Sequence, residues 1–187
     1  MRIIGGKFKG KKILQPKNKQ TRPLKDLTKE SIFNILNHSN KFKISVENSI
    51  VLDLFSGVGS FGLECLSRGA RHVTFVENYS GVLPILKNNL NNLNISEKYE
   101  IVEENLMSNF PIKKIHQKFN IIFLDPPYKE KRLPNIIDDI FQEKILNKNG
   151  VIVIHRHKKE NDEFSKNFKI LDEKKYGISK ILFGTLK

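Results

Sequence analysis

The chain has 187 residues, which is enough for one domain with a substantial core but short for two. Its formal net charge of +13 favours a polyanionic partner, either nucleic acid or an anionic membrane surface. A single cysteine excludes an internal disulfide and a cysteine-built zinc site, and we expect no metal centre. Because the chain has no signal-peptide pattern and no apolar run of membrane-spanning length, we expect a cytoplasmic protein with no membrane partner.

The positive charge is concentrated at the N-terminus, where residues 1–25 hold nine Lys or Arg and no acidic residue. Two short apolar segments around a glycine-containing turn predict a β-hairpin with a basic tip. After a polar loop, apolar residues at helical spacing predict a helix from the expected N-cap Asp26 to about His38. The N-terminal residues expected to bind nucleic-acid phosphates are Arg2, Lys7, Lys9, Lys11, Lys12 and Arg22.

Strands and helices then alternate along the rest of the chain. Apolar runs predict strands over 50–55, 73–76, 100–102, 120–124 and 151–154, followed by two final strands over 168–173 and 178–186. Helices are expected after the first strand up to Gly69, over 79–93, over 133–146 and near 160–167. This order predicts an α/β fold with a mainly parallel sheet, in which 1–40 extends a core of 41–187 within a single domain.

A glycine-rich loop, Gly57-x-Gly59-x-x-Gly62, joins the first strand to its helix. Such a loop lets a ligand approach the backbone closely, but a dinucleotide-binding fold carries the same pattern. Asp53 precedes the loop, where its carboxylate would repel a pyrophosphate and attract an ammonium group. The combination favours S-adenosyl-L-methionine as the cofactor over NAD, and an NAD-dependent oxidoreductase is the alternative.

Further cofactor contacts are expected where the next strands end. Glu77 follows the second strand, where a carboxylate can accept hydrogen bonds from ribose hydroxyls. Asn105 follows the third strand and can bind an adenine edge, although helix capping explains it almost as well. Phe55 and Asn78 adjoin these positions and complete the expected cofactor site.

The run Ile121-Ile122-Phe123-Leu124-Asp125-Pro126-Pro127-Tyr128 ends a buried strand at a carboxylate, two prolines and an aromatic ring. The prolines stiffen the turn and donate no N–H, so their carbonyl groups can accept hydrogen bonds from a ligand. A carboxylate oxygen of Asp125 and the Pro126 carbonyl suit the two hydrogens of a planar exocyclic amine, and Tyr128 offers a stacking face. We expect catalytic roles for Asp125, Pro126, Pro127 and Tyr128; the alternative is a Pro-Pro turn beside an isolated Asp.

The fifth strand ends in His155-Arg156-His157. Arg156 belongs to one of the basic clusters expected near the site, so we expect it to bind RNA phosphate. The two histidines could bind phosphate as well. A metal site is disfavoured because no cysteine or carboxylate cluster accompanies them.

Together these features resemble the RsmD family, which methylates N2 of a guanine in small-subunit ribosomal RNA, at position 966 of 16S rRNA. The residues that carry the resemblance are the Asp-Pro-Pro-Tyr motif, Arg2-Ile3-Ile4-Gly5-Gly6, Thr21-Arg22-Pro23-Leu24, Leu52-Asp53-Leu54-Phe55-Ser56-Gly57 and Arg68-Gly69-Ala70. Leu24 and Leu27 depart from the family pattern, which commonly has Thr and Arg there.

The resemblance implies a Rossmann-like class I methyltransferase whose seven-stranded sheet ends in an antiparallel strand. It also implies S-adenosyl-L-methionine as cofactor, and small-subunit rRNA or an assembling 30S particle as partner; a monomer is the default expectation. Three alternatives remain: a DNA adenine-N6 methyltransferase with the same site chemistry, a protein-glutamine methyltransferase, and a non-catalytic RNA-binding assembly factor.

Overall fold

A seven-stranded sheet forms the centre of the computed structural model, which describes residues 1–16, 24–104, 117–127 and 129–187. The strands are β1 (Ile50–Leu54), β2 (His72–Val76), β3 (Tyr99–Val102), β4 (Phe119–Leu124), β5 (Leu146–His157), β6 (Phe168–Tyr176) and β7 (Ser179–Leu186). The helices are α1 (Asp26–His38), α2 (Ser60–Ser67), α3 (Leu83–Asn91) and α4 (Leu133–Gln142), and a single 3-10 turn covers Ser96–Lys98. None of the helices in these ranges is both long and apolar enough to cross a membrane.

The strand order is β3-β2-β1-β4-β5-β7-β6. Neighbouring strands from β3 to β5 are parallel, whereas β7 lies antiparallel between β5 and β6. The prediction of a mostly parallel sheet with an antiparallel end is therefore confirmed. The central strands are mostly apolar and largely buried, as expected for parallel strands covered by helices on both faces.

The two faces of the sheet carry separate cores. One core contains the buried side chains of α1, α2 and α3, and the other contains those of α4. The ring of Phe61 links three layers on the first face, since it stacks on Phe123 of β4 at 4.1 Å and on Phe33 of α1 at 5.2 Å between centroids. The N-terminal helix is thus packed onto the sheet through α2.

Several predicted elements have different limits in the structure. α4 ends at Gln142 and β5 begins at Leu146, not at 151, because pairing of Leu146 with Phe119 recruits the segment to the sheet. α3 begins at Leu83 because Pro84 suits the first turn of a helix. The helix predicted near 160–167 is wrong: that segment is irregular, and its Asp162 binds Arg156 instead.

The N-terminal hairpin has its predicted shape, but only one isolated bridge, Arg2 to Lys12, replaces the two strands. The backbone N–H groups of Ile3, Gly10 and Ile13 bond across the hairpin. Others bond to α2: Ile4 donates to the Glu64 carboxylate at 2.8 Å, and Phe8 donates to the Ser67 hydroxyl at 2.9 Å. The segment is therefore both paired with itself and docked on α2. The prediction of α1 is confirmed, although Lys25 and not Asp26 occupies the cap position.

A buried ion pair joins this segment to the core. Lys29 of α1 is fully buried, and its Nζ lies 3.4 Å from the Glu64 carboxylate and 2.6 Å from the Arg2 carbonyl oxygen. Burial is the main cause of a lowered pKa for Lys29, which the charges of Glu64 and Asp26 oppose. Since Glu64 also accepts hydrogen bonds from Ile4 and Arg68, one carboxylate connects α1, α2 and the hairpin.

We predict that Glu64→Gln lowers the free energy of unfolding by about 3 kcal/mol, because it removes the buried counter-charge of Lys29 and leaves only the partly exposed Asp26 carboxylate, 3.9 Å away. Urea unfolding measures this change. Glu30→Gln on the exposed face of α1 is the matched control and should change stability by less than about 0.5 kcal/mol. Equal stability of the two variants would contradict the assigned role of the pair.

Candidate active site

Four neighbouring parallel strands reach the same level at the carboxyl end of the sheet, where β1, β2 and β4 end and β5 continues to His157. Leu54 pairs with both Val76 and Leu124, and Leu124 pairs with Ile154. The residues that follow these partners are Phe55, Glu77, Asp125 and His155. The sheet register therefore brings the expected cofactor residues and the expected amine-binding residue to one place, at the carboxyl ends of the strands where α/β folds bind ligands.

Asp53 lies one position inside this edge and is 1% exposed. Its Oδ2 accepts a hydrogen bond from the Gly62 N–H at 2.9 Å, which ties β1 to the first turn of α2. Burial, opposed by this hydrogen bond and reinforced by the charges of Asp125 and Glu77, raises the pKa of Asp53 to about 8. In the described ranges no Lys or Arg forms an ion pair with any of these three carboxylates. A cation bound at the carboxyl ends of these strands would consequently relieve the repulsion among the three carboxylates.

The loop after β1 takes a tight path that two glycines allow. Gly57 and Gly59 have φ values of +54° and +82°. A Cβ at Gly59 would lie 2.6 Å from the Leu86 side chain, whereas a Cβ at Gly57 would meet no atom within 4 Å. Gly57 therefore presents open backbone to the strand edge, and Phe55 before it holds a positive φ of 60°.

Glu77 connects this loop to the end of β2. Its Oε2 accepts the Gly57 N–H at 2.8 Å, and its Oε1 accepts the N–H groups of Asn78 and Tyr79 at 2.9 and 2.8 Å. A carboxylate has about four acceptor positions, so about one is left for a ligand. Binding two ribose hydroxyls to Glu77 would require that one of these backbone bonds be given up.

The Asp-Pro-Pro turn follows β4 directly. Asp125 has a side chain that is 22% exposed, and its Oδ1 lies 2.8 Å from Nδ1 of His155. Within the described part of the chain, nothing donates a hydrogen bond to Asp125 Oδ2 or to the Pro126 carbonyl, whereas the Pro127 carbonyl accepts from Glu130 and Arg156. The turn thus retains the two acceptors that an exocyclic amine requires. Three expected site residues, Tyr128, Asn105 and Arg22, lie outside the described residues.

The expectation that Arg156 contacts RNA is wrong, because this residue is 1% exposed. Its guanidinium donates to the Asp162 carboxylate at 2.9 and 2.8 Å, to the Glu130 carbonyl at 3.0 Å and to the Pro127 carbonyl at 3.3 Å. Arg156 therefore braces the Asp-Pro-Pro turn from inside the protein. The signal in the sequence was Asp162, an acidic residue close enough along the chain to pair with it.

His155 is the site residue for which the sequence analysis predicted no definite role. The imidazole is 7% exposed and lies between Asp125 and Ser179, at 2.8 and 2.9 Å. Aligning the predicted strands 120–124 and 151–154 at their last residues would have placed His155 beside Asp125. In the ranges that the structure describes, no group of three or more His, Cys, Asp or Glu is arranged to hold a metal ion.

Five of the expected phosphate-binding residues lie in the described part of the N-terminus and are exposed, as that role requires: Arg2, Lys7, Lys9, Lys11 and Lys12. Lys7 and Lys11 lie 5.5 and 5.2 Å from the centre of the Phe8 ring, and the hairpin tip rests against Ser67 at the end of α2. The other end of the hairpin reaches the glycine loop, because Asn89 bridges the carbonyls of Leu14 and Val58. The tip lies about one α2 length, on the order of 10 Å, from that loop.

Comparisons with known proteins identify the family. The model of a family described as Conserved hypothetical protein 95 matches residues 1–185. The chain belongs to this family. Ribosomal RNA small subunit methyltransferase D of Haemophilus influenzae is 32% identical over 179 residues, covering 95% of this chain and 90% of the relative. The protein of the same name from Buchnera aphidicola subsp. Acyrthosiphon pisum is 33% identical over 173 residues, covering 92% and 86%. The resemblance to the RsmD family is confirmed.

Solved structures of similar fold support the family architecture. The Escherichia coli protein yhhF is 27% identical, with a TM-score of 0.81 over 100% of this chain and 98% of that chain. An RNA methyltransferase from Salinibacter ruber, solved in complex with S-adenosyl-L-homocysteine, covers 87% of this chain and 92% of its own with a TM-score of 0.62. At 12% identity this second likeness concerns the fold alone. The prediction of a Rossmann-like class I methyltransferase fold is confirmed.

We predict that ionisation of Asp53 lowers the free energy of unfolding of the ligand-free protein as the pH rises from about 4 to 8. The pKa of Asp53 is about 8 in the folded chain and near 3.8 when unfolded, so folding takes up a proton between these values. Compared with Asp53→Asn, which cannot ionise at this position, the wild type should lose up to about 1.4 kcal/mol of unfolding free energy per pH unit. Urea unfolding of both proteins across this pH range measures the difference; parallel pH profiles would contradict the assigned pKa.

Proposed function

We propose that the protein is an S-adenosyl-L-methionine-dependent methyltransferase that methylates N2 of a guanine in small-subunit ribosomal RNA. The observation that carries this proposal is the pair of open acceptors, Asp125 Oδ2 and the Pro126 carbonyl, beside a carboxylate cluster that suits a cation. The relatives named ribosomal RNA small subunit methyltransferase D support rRNA as the substrate class. We further propose the guanine at position 966 of 16S rRNA as the target.

The residues of the strand edge fit the proposed cofactor. S-adenosyl-L-methionine supplies an electrophilic methyl group on a sulfonium and carries an ammonium group. Asp53 would hold the cationic methionine end, and the open backbone at Gly57 gives the space for close approach. Glu77, with its remaining acceptor position, would hold the ribose. Asn105 is the proposed adenine contact.

The Asp-Pro-Pro turn would activate the target amine. Guanine N2 is a poor nucleophile because its lone pair is delocalised into the ring. Asp125 Oδ2 and the Pro126 carbonyl each accept one N–H, which draws the nitrogen towards tetrahedral geometry and exposes its lone pair. The negative charge of Asp125 stabilises the positive charge that the nitrogen gains in the transition state. The base must leave its stack to enter this turn, where Tyr128 is the proposed stacking partner.

The substrate RNA would contact a surface larger than the turn. The lysines of the hairpin tip, about one α2 length from the glycine loop, are proposed to bind phosphates away from the target base. Such contacts orient the RNA without reading its sequence. We propose a monomer that acts on small-subunit rRNA, either free or in an assembling 30S particle.

The direct test supplies labelled S-adenosyl-L-methionine with small-subunit particles, naked rRNA or plasmid DNA, each from a host that lacks the activity. The proposal expects label in rRNA that nucleoside analysis identifies as N2-methylguanosine. N6-methyladenine in DNA would instead indicate a DNA methyltransferase with the same site chemistry. Cofactor binding without transfer to any substrate would indicate a non-catalytic assembly factor.

We predict that Asp125→Ala lowers kcat by about 10³-fold, because it removes both an amine acceptor and the charge that stabilises the transition state. The Kd for S-adenosyl-L-methionine should stay within about fivefold of the wild-type value, since Asp125 lies in the turn proposed to bind the target amine and not the cofactor. Single-turnover transfer and calorimetry measure the two quantities. Glu143→Ala, which removes an exposed carboxylate at the end of α4, is the control. Parallel losses of binding and transfer would contradict the assignment.

We predict that the triple variant Lys7→Ala, Lys9→Ala, Lys12→Ala weakens RNA binding and leaves kcat at saturating RNA unchanged. Each lost phosphate contact should reduce the slope of log affinity against log salt by about 0.7 to 0.9. The control removes three exposed lysines elsewhere, Lys98, Lys148 and Lys166, with the same change in net charge. Equal weakening in both triple variants would show that general charge, and not the hairpin, binds the RNA.

A further inference from the structure

We propose that His155 is a positioning residue that orients the Asp125 carboxylate for the target amine, and that Ser179 fixes the imidazole in the required tautomer. This inference rests on the proposed function. It goes further by assigning roles to two residues outside the Asp-Pro-Pro-Tyr motif. The evidence is a continuous chain of hydrogen bonds, from Asp125 Oδ1 to His155 Nδ1 at 2.8 Å and from His155 Nε2 to Ser179 Oγ at 2.9 Å.

The partners of the imidazole determine where its hydrogen lies. An ionised carboxylate can only accept, so the hydrogen-bonded Nδ1 of His155 must carry a hydrogen. A serine hydroxyl can donate, so Ser179 can satisfy Nε2 as an acceptor. The neutral Nδ1–H tautomer therefore satisfies both contacts, and neither requires an imidazolium.

A neutral donor on Oδ1 has two consequences for Asp125. The bond fixes the carboxylate plane and leaves Oδ2, which no donor in the described ranges engages, for an N–H of the amine. It also leaves the full negative charge of Asp125 in place to stabilise the developing positive nitrogen. The bond is well shielded, because the side chain of His155 is only 9% exposed.

The opposite face of the same strand holds the backbone of the turn. Side chains alternate along a strand, so the residue after His155 points to the other face of the sheet. There Arg156 donates to the Pro127 and Glu130 carbonyls. Consecutive residues of β5 thus orient the side-chain acceptor and brace the turn that carries the carbonyl acceptor.

The test compares four variants of the full chain: His155→Phe, His155→Asn, Ser179→Ala and, as control, His72→Phe. His155→Phe keeps a planar ring but removes the donor, and we expect kcat to fall by about 10- to 100-fold with KM for RNA nearly unchanged. His155→Asn places an amide N–H where Nδ1 lies, so it should recover kcat to within about threefold of the wild type. Ser179→Ala should lower kcat by only about two- to fivefold. The control histidine begins β2 and its buried Nδ1 has no partner among the described residues.

Two further measurements separate positioning from folding. The affinity for S-adenosyl-L-methionine should be equal in the wild type and His155→Phe, because His155 contacts the amine-binding side. Imidazole ¹⁵N NMR of the wild type should show His155 with its hydrogen on Nδ1, and Ser179→Ala should weaken that preference.

Unchanged kcat in His155→Phe, or failure of His155→Asn to recover activity, would overturn the inference. An Nε2–H tautomer in the wild type would overturn it as well, whatever the activity. A wild-type protein that transfers no methyl group to rRNA would contradict the proposed function instead. In that case the NMR measurement still decides whether His155 is held by Asp125 and Ser179 in the tautomer that the inference requires.

Discussion

The in-register parallel pairing of β2, β1, β4 and β5 is the constraint on which the site depends. Their shared register brings the residues at their carboxyl ends to one level and gathers Glu77, Asp125 and His155 there. A slip of one residue in any strand would turn its side chains to the other face. Both faces of the sheet are packed into cores, so such a slip would replace close-packed contacts on both faces with mismatched ones. Core packing is therefore what holds the site geometry.

The same strand register also brings three carboxylates close together. Asp53, Glu77 and Asp125 lie close enough that the latter two raise the pKa of Asp53, and burial raises it further. A ligand-free protein tolerates this arrangement by keeping Asp53 protonated near neutral pH. A cation at the carboxyl ends of the strands favours the ionised form, so cation binding is coupled to loss of the Asp53 proton. Selectivity for a positively charged cofactor would then follow from the sheet topology.

Much of the fold and part of the site could be predicted from the sequence. Apolar runs identified every strand of the sheet, and Asp53, Glu77 and Asp125 were singled out because carboxylates at the carboxyl ends of parallel strands lie where α/β sheets bind ligands. Element limits were less accessible: Leu146 joins β5 only through its pairing with Phe119, a contact distant in sequence. The role of Arg156 was mistaken because a basic residue at a strand end looks alike whether it faces solvent or a buried carboxylate. His155 depends on a tertiary partner, Ser179, that no local pattern announces.

The measurement that tests the central claim most directly is calorimetric titration of the protein with S-adenosyl-L-methionine at pH 7, in two buffers of different ionisation enthalpy. If the strand edge is a cation site, the bound cation ionises Asp53, whose pKa is about 8 without ligand, and a proton is released to the buffer. The binding enthalpy should then differ between the buffers for the wild type and be the same for Asp53→Asn. A wild-type enthalpy independent of the buffer would contradict the account.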